Sequence, residues 1–347
     1  MRLFRVPPIA AFGAAACLLP LRAGAMAPEH PPVAEVRPVT DTYFRTRITD
    51  PYRWMEGKPQ TQFLDYLHAE NDHARHVLAS IPGRDALARE IGQVSGLAAR
   101  VRNVALAGGR TFYLKREAGG QIDRLYAADG AGRETLLVDP SGLDRDGKHA
   151  EIDQFVPSQD GRLVVYGISI GGSENSRLHV IETATRTIRP DTIDRAQFAN
   201  VSWTPDGQGF FFSRLPASAA TATPSEQYAH MKVYRHGLGQ DPAQDAVVLD
   251  SDHLPFPFKA AAVFPTVSVN PGSDYALAGV SPEVTLYSAP LKDVADGHPA
   301  WKQVALQSDD VIGAAVRGDR IDLLTHAHAP RFRVVESRLD APAFAAA

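Results

Sequence analysis

The sequence predicts a mainly β fold, an incomplete β-propeller of about five blades preceded by an N-terminal helical segment. Three observations carry that prediction. The first is a repeated turn-then-strand line: Pro157, Asp160 and Gly161 ahead of an apolar run at 163–166, Pro205, Asp206 and Gly207 ahead of Phe210–Phe212, and Pro271 and Gly272 ahead of Tyr275 and Leu277. Each is a tight turn feeding a buried strand. The second is a line that recurs further along each unit, ending at Tyr126, His179, Tyr234, Tyr287 and Val335 with successive spacings of 53, 55, 53 and 48 residues. A period of about fifty, with several short strands and no helical pattern inside, suits a four-stranded propeller blade. The third is composition: 27 Gly and 26 Pro in 347 residues fit a turn-rich β protein better than a helical one.

Taken in order, the chain opens with a secretory leader. Arg2 and Arg5 form a charged start, residues 9–21 an apolar run, and Ala23, Gly24 and Ala25 a small-x-small cleavage site. A membrane span is the weaker reading, since the run is shorter than the ~20 apolar residues a span needs and is broken by Pro20 and Arg22. A lipoprotein would use Cys17, but Leu18 and Leu19 carry the apolar run past it. The expected location is therefore periplasmic or secreted, with residues 1–25 removed and with them the only cysteine. The net charge of −4 then becomes −7, from 33 basic and 40 acidic residues, which recommends no nucleic-acid partner.

Residues 26–100 read as an arm followed by helices. Positions 26–49 are Pro-rich and charged, and read as extended. Asp50, Pro51, Tyr52, Arg53, Trp54 and Met55 then bring apolar bulk that needs burial. Phe63, Leu64, Leu67, Ala74, Val77, Leu78 and Ile81 recur at helical spacing, predicting a helix over 61–81 that Pro82 and Gly83 stop. Leu87, Ile91 and Val94 predict a second over 84–95. One apolar stripe each cannot stabilise two helices alone, so both need a partner surface. Residues 101–347 hold the partial propeller, with a low-complexity loop at 217–225.

The Asp50–Trp54 string, with Phe63, Glu70 and Asn71 on the first helix, resembles the N-terminal segment of prolyl oligopeptidases. The likeness continues through Tyr166, Gly167, Ser173 and Glu174, then Pro190 and Asp191, then the Trp203–Arg214 string. Lys232 and Tyr234 follow, and His328, Pro330 and Arg333 close it, all in the family's order over roughly residues 40–340. The resemblance implies a serine endopeptidase acting on short peptides, in which a seven-bladed propeller limits access to an α/β-hydrolase domain. That domain is the surface on which the N-terminal helices pack. It also implies that the catalytic Ser, Asp and His lie beyond residue 347, so that this chain alone is inactive. It aligns Phe198, five residues before Trp203, with a propeller phenylalanine that reaches substrate; the other reading of Phe198 is a core aromatic. A stand-alone binding propeller, or a scaffold for a separately encoded hydrolase domain, are the alternatives. Prolyl and basic-residue specificity are not distinguished.

Other candidate sites weigh less. Gly167-x-Ser169-x-Gly171 matches the nucleophile-elbow pattern, but that motif works only as a strand-to-helix turn with an acid and a His to follow. A second strand follows here, so a Gly/Ser turn is the better reading. His73 and His76 lie one turn apart, with His68 before them, but lack the Glu of a zinc-binding H-E-x-x-H. His326 and His328 have no carboxylate or cysteine cluster beside them. Asp309 and Asp310, like Asp144 and Asp146, read as turn residues. No metal and no cofactor are expected.

Overall fold

A computed structural model describes residues 30–56, 60–220, 222, 226–254, 264–281 and 284–344. The expected leader lies outside these residues, as do 221 and 223–225 of the low-complexity run. Within that run Ala217–Ala220 forms a 3-10 turn instead of an irregular loop. The chain divides after Glu90 into two units.

The first unit corrects the extended arm. Strands β1 (Val39–Tyr43) and β2 (Thr46–Asp50) form an antiparallel hairpin in which Tyr43 faces Thr46. Phe44 and Arg45 make its two-residue turn with φ of 48° and 71°. Turns of this hand match strand twist and favour Asn or Gly, so a Phe-Arg turn leaves no sequence signal. The Asp50–Trp54 string has a structural role. Asp50 accepts the Tyr52 N–H at 2.8 Å and Arg53 Nε at 3.0 Å, while Arg53 Nη2 reaches back to Asp41 in β1 at 2.7 Å. Trp54 donates to the Glu35 carbonyl at 2.8 Å and meets Phe63 edge-on at 6.2 Å. Helix α1 (Thr61–Ala79) follows, and α2 (Arg84–Ser95) runs across the division after Glu90. Both match their apolar stripes in the sequence. Neither helix has a buried residue, and Leu64, Leu67, Val77, Leu78, Leu87, Ile91 and Val94 are each at least 41% exposed.

The second unit is five consecutive antiparallel blades. Blade 1 holds β3 (Arg100–Ala107), β4 (Arg110–Arg116), β5 (Arg124–Ala128) and β6 (Glu134–Val138). Blade 2 holds β7 (Ala150–Pro157), β8 (Leu163–Ile170), β9 (Arg177–Glu182) and β10 (Ile188–Ile193). Blade 3 holds β11 (Ser202–Trp203), β12 (Gly209–Arg214), β13 (Lys232–Gly237) and β14 (Ala246–Asp250). Blade 4 holds β15 (Phe264–Val269), β16 (Tyr275–Ser281), β17 (Thr285–Pro290) and, after the short helix α3 (Leu291–Ala295), β18 (Lys302–Ala305). Blade 5 is three-stranded among the described residues, with β19 (Val311–Arg317), β20 (Arg320–Thr325) and β21 (Arg333–Arg338). In each sheet the strands pair in chain order. The second repeated line of the sequence is the third strand of every blade: β5, β9, β13, β17 and β21.

The first repeated line is the turn between first and second strands. Asp160 Oδ1 accepts from Ser158 Oγ at 2.7 Å and the Arg162 N–H at 3.0 Å, and Asp206 Oδ1 does the same with Thr204 Oγ1 at 2.6 Å and the Gln208 N–H at 3.0 Å. Gly161, at φ 66°, also lies against the backbone of Ala107 and Gly108, where a Cβ would come within 2.7 Å of the Ala107 carbonyl oxygen. The turns of blades 1 and 2 thus touch backbone to backbone, which only Gly allows.

Apolar residues at alternate strand positions fill the seams between sheets. Phe112, Leu114 and Leu125 meet Val164, Tyr166 and Ile181 between blades 1 and 2. Val165, Leu178 and Val180 meet Trp203, Phe210 and Phe212 between blades 2 and 3. Phe211 and Val233 meet Val267, Ala278 and Tyr287 between blades 3 and 4. Buried polar groups stitch the seams from blade 2 to blade 5: Trp203 Nε1 to the Val156 carbonyl at 3.0 Å, Ser213 Oγ to that of Pro265 at 2.7 Å, and Ser288 Oγ to that of Leu339, just after β21, at 2.7 Å. Burying a hydroxyl is costly without an acceptor, and for Ser213 and Ser288 the neighbouring blade supplies it.

Candidate functional site

The nucleophile-like serine is a strand residue. Ser169 pairs with Glu151 in the β7–β8 ladder, is 2% exposed, and donates to Asp153 Oδ1 at 2.8 Å. This corrects the expected Gly/Ser turn: β8 runs on to Ile170, and the chain reverses only at Gly171 and Gly172, with φ of 62° and 67°. Strand β9 follows, with no helix between. Ser169 therefore bonds a carboxylate in place of an imidazole, and its strand amides serve the ladder instead of an oxyanion hole. Asp153 lies at the bulge between Ile152 and Gln154, which turns its carboxylate to the hydroxyl.

Phe198 lies at the surface. It belongs to the connector from β10 to β11, has a φ of 58°, and is 52% exposed. A bulky residue adopts that conformation only when its surroundings impose it. Here the connector is pinned on both sides. Ala196 and Ala199 are buried in the seam between blades 2 and 3, the Ala196 N–H donates to the Ser176 carbonyl at 3.0 Å, and the Ala199 N–H closes a turn on Ala196 at 3.1 Å. Arg195 Nη1 and the Arg195 carbonyl both bond Leu215 backbone, at 3.0 Å each. With its flanks held, the ring between them is turned outward.

There it joins residues from other connectors. Tyr228 packs against Phe198 at 5.8 Å and against Phe264 at 6.2 Å. Gln197 Nε2 donates to Tyr228 Oη at 3.2 Å and to Glu174 Oε2 at 3.3 Å. Glu174 comes from the β8–β9 turn and Tyr228 from the β12–β13 loop. In sheets paired in chain order, second-to-third and fourth-to-first connections leave on one side, so this group occupies a single face of the propeller. Its parts are an exposed phenylalanine beside a half-buried tyrosine, a side-chain amide and a carboxylate. That set offers ring packing and hydrogen bonds, and it contains no nucleophile. Glu174 was within a motif string of the sequence. Gln197 and Tyr228 carried no signal, because only the connector geometry brings residues 23 and 31 positions apart into contact.

The other side of the propeller carries a cleft of about 390 Å³ whose lining includes Arg110, Asp160, Arg162, Glu182, Arg189 and Gln208. Arg162 and Arg189 are already paired there, with Asp160 at 2.5 Å and Glu182 at 3.4 Å, and none of the expected site residues reaches it. Among the described residues no group of three or more His, Cys, Asp or Glu is placed to hold a metal ion, and no helix is long and apolar enough to cross a membrane.

The family described as prolyl oligopeptidase, N-terminal beta-propeller domain, matches residues 31–346. The chain belongs to the prolyl oligopeptidase family. Among curated relatives, it is 26% identical to a prolyl endopeptidase of Elizabethkingia meningoseptica over 306 residues, 87% of this chain and 42% of that protein. It is 24% identical to dipeptidyl aminopeptidase BI of Pseudoxanthomonas mexicana over 247 residues, 64% of this chain and 32% of that protein. Among solved structures, one from a mechanistic study of two prolyl endopeptidases superposes with a TM-score of 0.73 at 26% identity, over 90% of this chain and 45% of the other. The fold likeness extends to prolyl oligopeptidase B of Galerina marginata, at a TM-score of 0.70 and 19% identity over 91% of this chain and 47% of that one. The chain spans less than half the length of these prolyl oligopeptidase relatives.

Proposed function

We propose that this chain is the N-terminal and propeller portion of an exported prolyl-oligopeptidase-like serine endopeptidase, in which the propeller admits short peptides and turns folded proteins away. The observation that carries the reading is the pair of apolar stripes on α1 and α2, none of whose residues is buried. Membership of the family supports an α/β-hydrolase domain as the surface that covers them. The Ser–His–Asp/Glu chemistry of acyl transfer then belongs to that domain. Phe198, with Tyr228 beside it, is the propeller's contact to the bound peptide. Export rests on the leader-like residues 1–25.

Three measurements test this together. The 347-residue chain is expected neither to hydrolyse a blocked Gly-Pro chromogenic peptide nor to be labelled by a fluorophosphonate probe. Turnover that disappears in a Ser169→Ala variant would place the nucleophile in β8 and sink the proposal. Addition of the part of the Elizabethkingia meningoseptica enzyme that this chain does not match, produced separately, is expected to slow amide exchange over residues 61–95. A chain that binds proline-containing peptides while those amides stay unprotected would instead be a stand-alone binding propeller.

A further inference from the structure

Asp191 was part of the sequence string Pro190-Asp191, and its role lies away from any surface. It projects from β10 of blade 2 into the seam with blade 3, where its side chain is fully buried. There Asp191 Oδ1 sits 3.1 Å from Nε2 of His236, on β13, whose ring is itself fully buried. The other ring nitrogen, Nδ1, faces Oδ1 of Asp245 at 2.8 Å, just ahead of β14, and that carboxylate is buried too. Asp245 Oδ2 has no hydrogen-bond partner among the described residues, so the ring is the only group holding that carboxylate. Asp191 has two further supports, the Gly239 N–H and Arg189 Nε at 3.4 Å, and Arg189 in turn pairs with Glu182. Phe210 covers the ring at 5.2 Å.

A neutral imidazole has one donor and one acceptor, so it can satisfy only one of two carboxylates. With both nitrogens facing buried Asp oxygens, two ionised carboxylates are satisfied together only by a ring carrying both protons. We propose that His236 is a charged clamp across the seam between blades 2 and 3, a positioning residue that fixes β10 and, through it, the connector presenting Phe198. Strand β10 ends at Ile193, and Phe198 follows five residues later, so whatever fixes β10 fixes one end of that connector.

The clamp has a pH range set by its own groups. Burial works against the charge on His236, but Asp245 and then Asp191 more than offset it, so the ring holds its proton above the ordinary imidazole value. Burial likewise opposes ionisation of Asp191, yet the Gly239 N–H and His236 outweigh it and hold its carboxyl below the usual range. A His bound more tightly to its proton when folded contributes full stability below its unfolded value of about 6.5, and loses that contribution as pH rises through the folded value. Asp191 contributes above its unfolded value of about 3.9 and loses that as pH falls through the lowered one. The clamp is therefore closed below the ordinary imidazole value and opens as pH rises through the raised value of the folded state.

The test uses the full chain with ring-labelled histidines. The His236 resonance is expected to titrate above 6.5, and the melting temperature to fall between pH 6 and 9 by more than in His236→Gln, whose eleven remaining histidines supply the common background. Over the same range the Ala196 and Ala199 amides, corrected for intrinsic exchange, should lose protection in the parent. Should His236→Gln fail to fold, Asp245→Asn keeps the ring and the shape, and is expected to lower the His236 titration point and flatten the melting profile. A His236 that titrates at or below 6.5 in the parent would overturn the clamp, as would variants whose melting keeps the parent's pH dependence. These outcomes do not depend on peptidase activity, so failure here and failure of the functional reading are separable.

Discussion

At the scale of residues, burial separates side chains that look alike in the sequence. Phe198 and Phe211 are both propeller phenylalanines; one is half exposed on a strained connector, the other is fully buried between blades 3 and 4. Phe211→Ala removes the ring from that seam and leaves a cavity that the surrounding β strands cannot close, so it should destabilise the second unit by about 3–5 kcal/mol. Urea unfolding would show it as a lower midpoint at unchanged slope. A loss below about 1 kcal/mol would mean that the seam repacks freely. Ser169 and Ser213 carry the same lesson for hydroxyls. Both are buried, and each bonds across strands or blades, so a serine in a catalytic-looking string can be wholly occupied with structure.

At the scale of elements, propensity and strain explain which segments were legible. The helices α1 and α2 were readable because a 3.6-residue apolar period is visible without knowing what covers it. The β1–β2 hairpin was not, because its turn residues are Phe44 and Arg45, and the left-handed backbone there goes against both. Arg45→Gly relieves that strain, which is worth about 1–2 kcal/mol for a non-Gly residue. The expected result is slower exchange of the hairpin amides at Tyr43 and Thr46, the pair that closes the ladder, by roughly the factor that about 1 kcal/mol implies. Unchanged exchange would mean that the turn does not limit hairpin opening.

At the scale of the whole molecule, the five blades form a nearest-neighbour stack, each seam built from the facing sides of two sheets. Stability in such a stack sums over units and interfaces, so a weakened seam is felt locally first. The proposed leader belongs to this scale as well. On expression in a Gram-negative host, the chain is expected outside the cytoplasm with a new N-terminus at or near Met26. Recovery of an intact peptide from residues 1–22 in the mature pool would refute export.

The sequence by itself determined the repeat, the third strand of each blade, the Asp-Gly turns and both helices. Those features rest on periodicity and on local backbone chemistry, which a linear string records. Only the tertiary structure decided that Phe198 faces outward beside Tyr228, that Ser169 is a ladder residue bonded to Asp153, and that Asp191, His236 and Asp245 meet in one seam. Asp191 and His236 are 45 positions apart on different sheets. What joins them is the packing of one blade on the next, and the free energy of that packing is shared among faces that no short stretch of sequence contains.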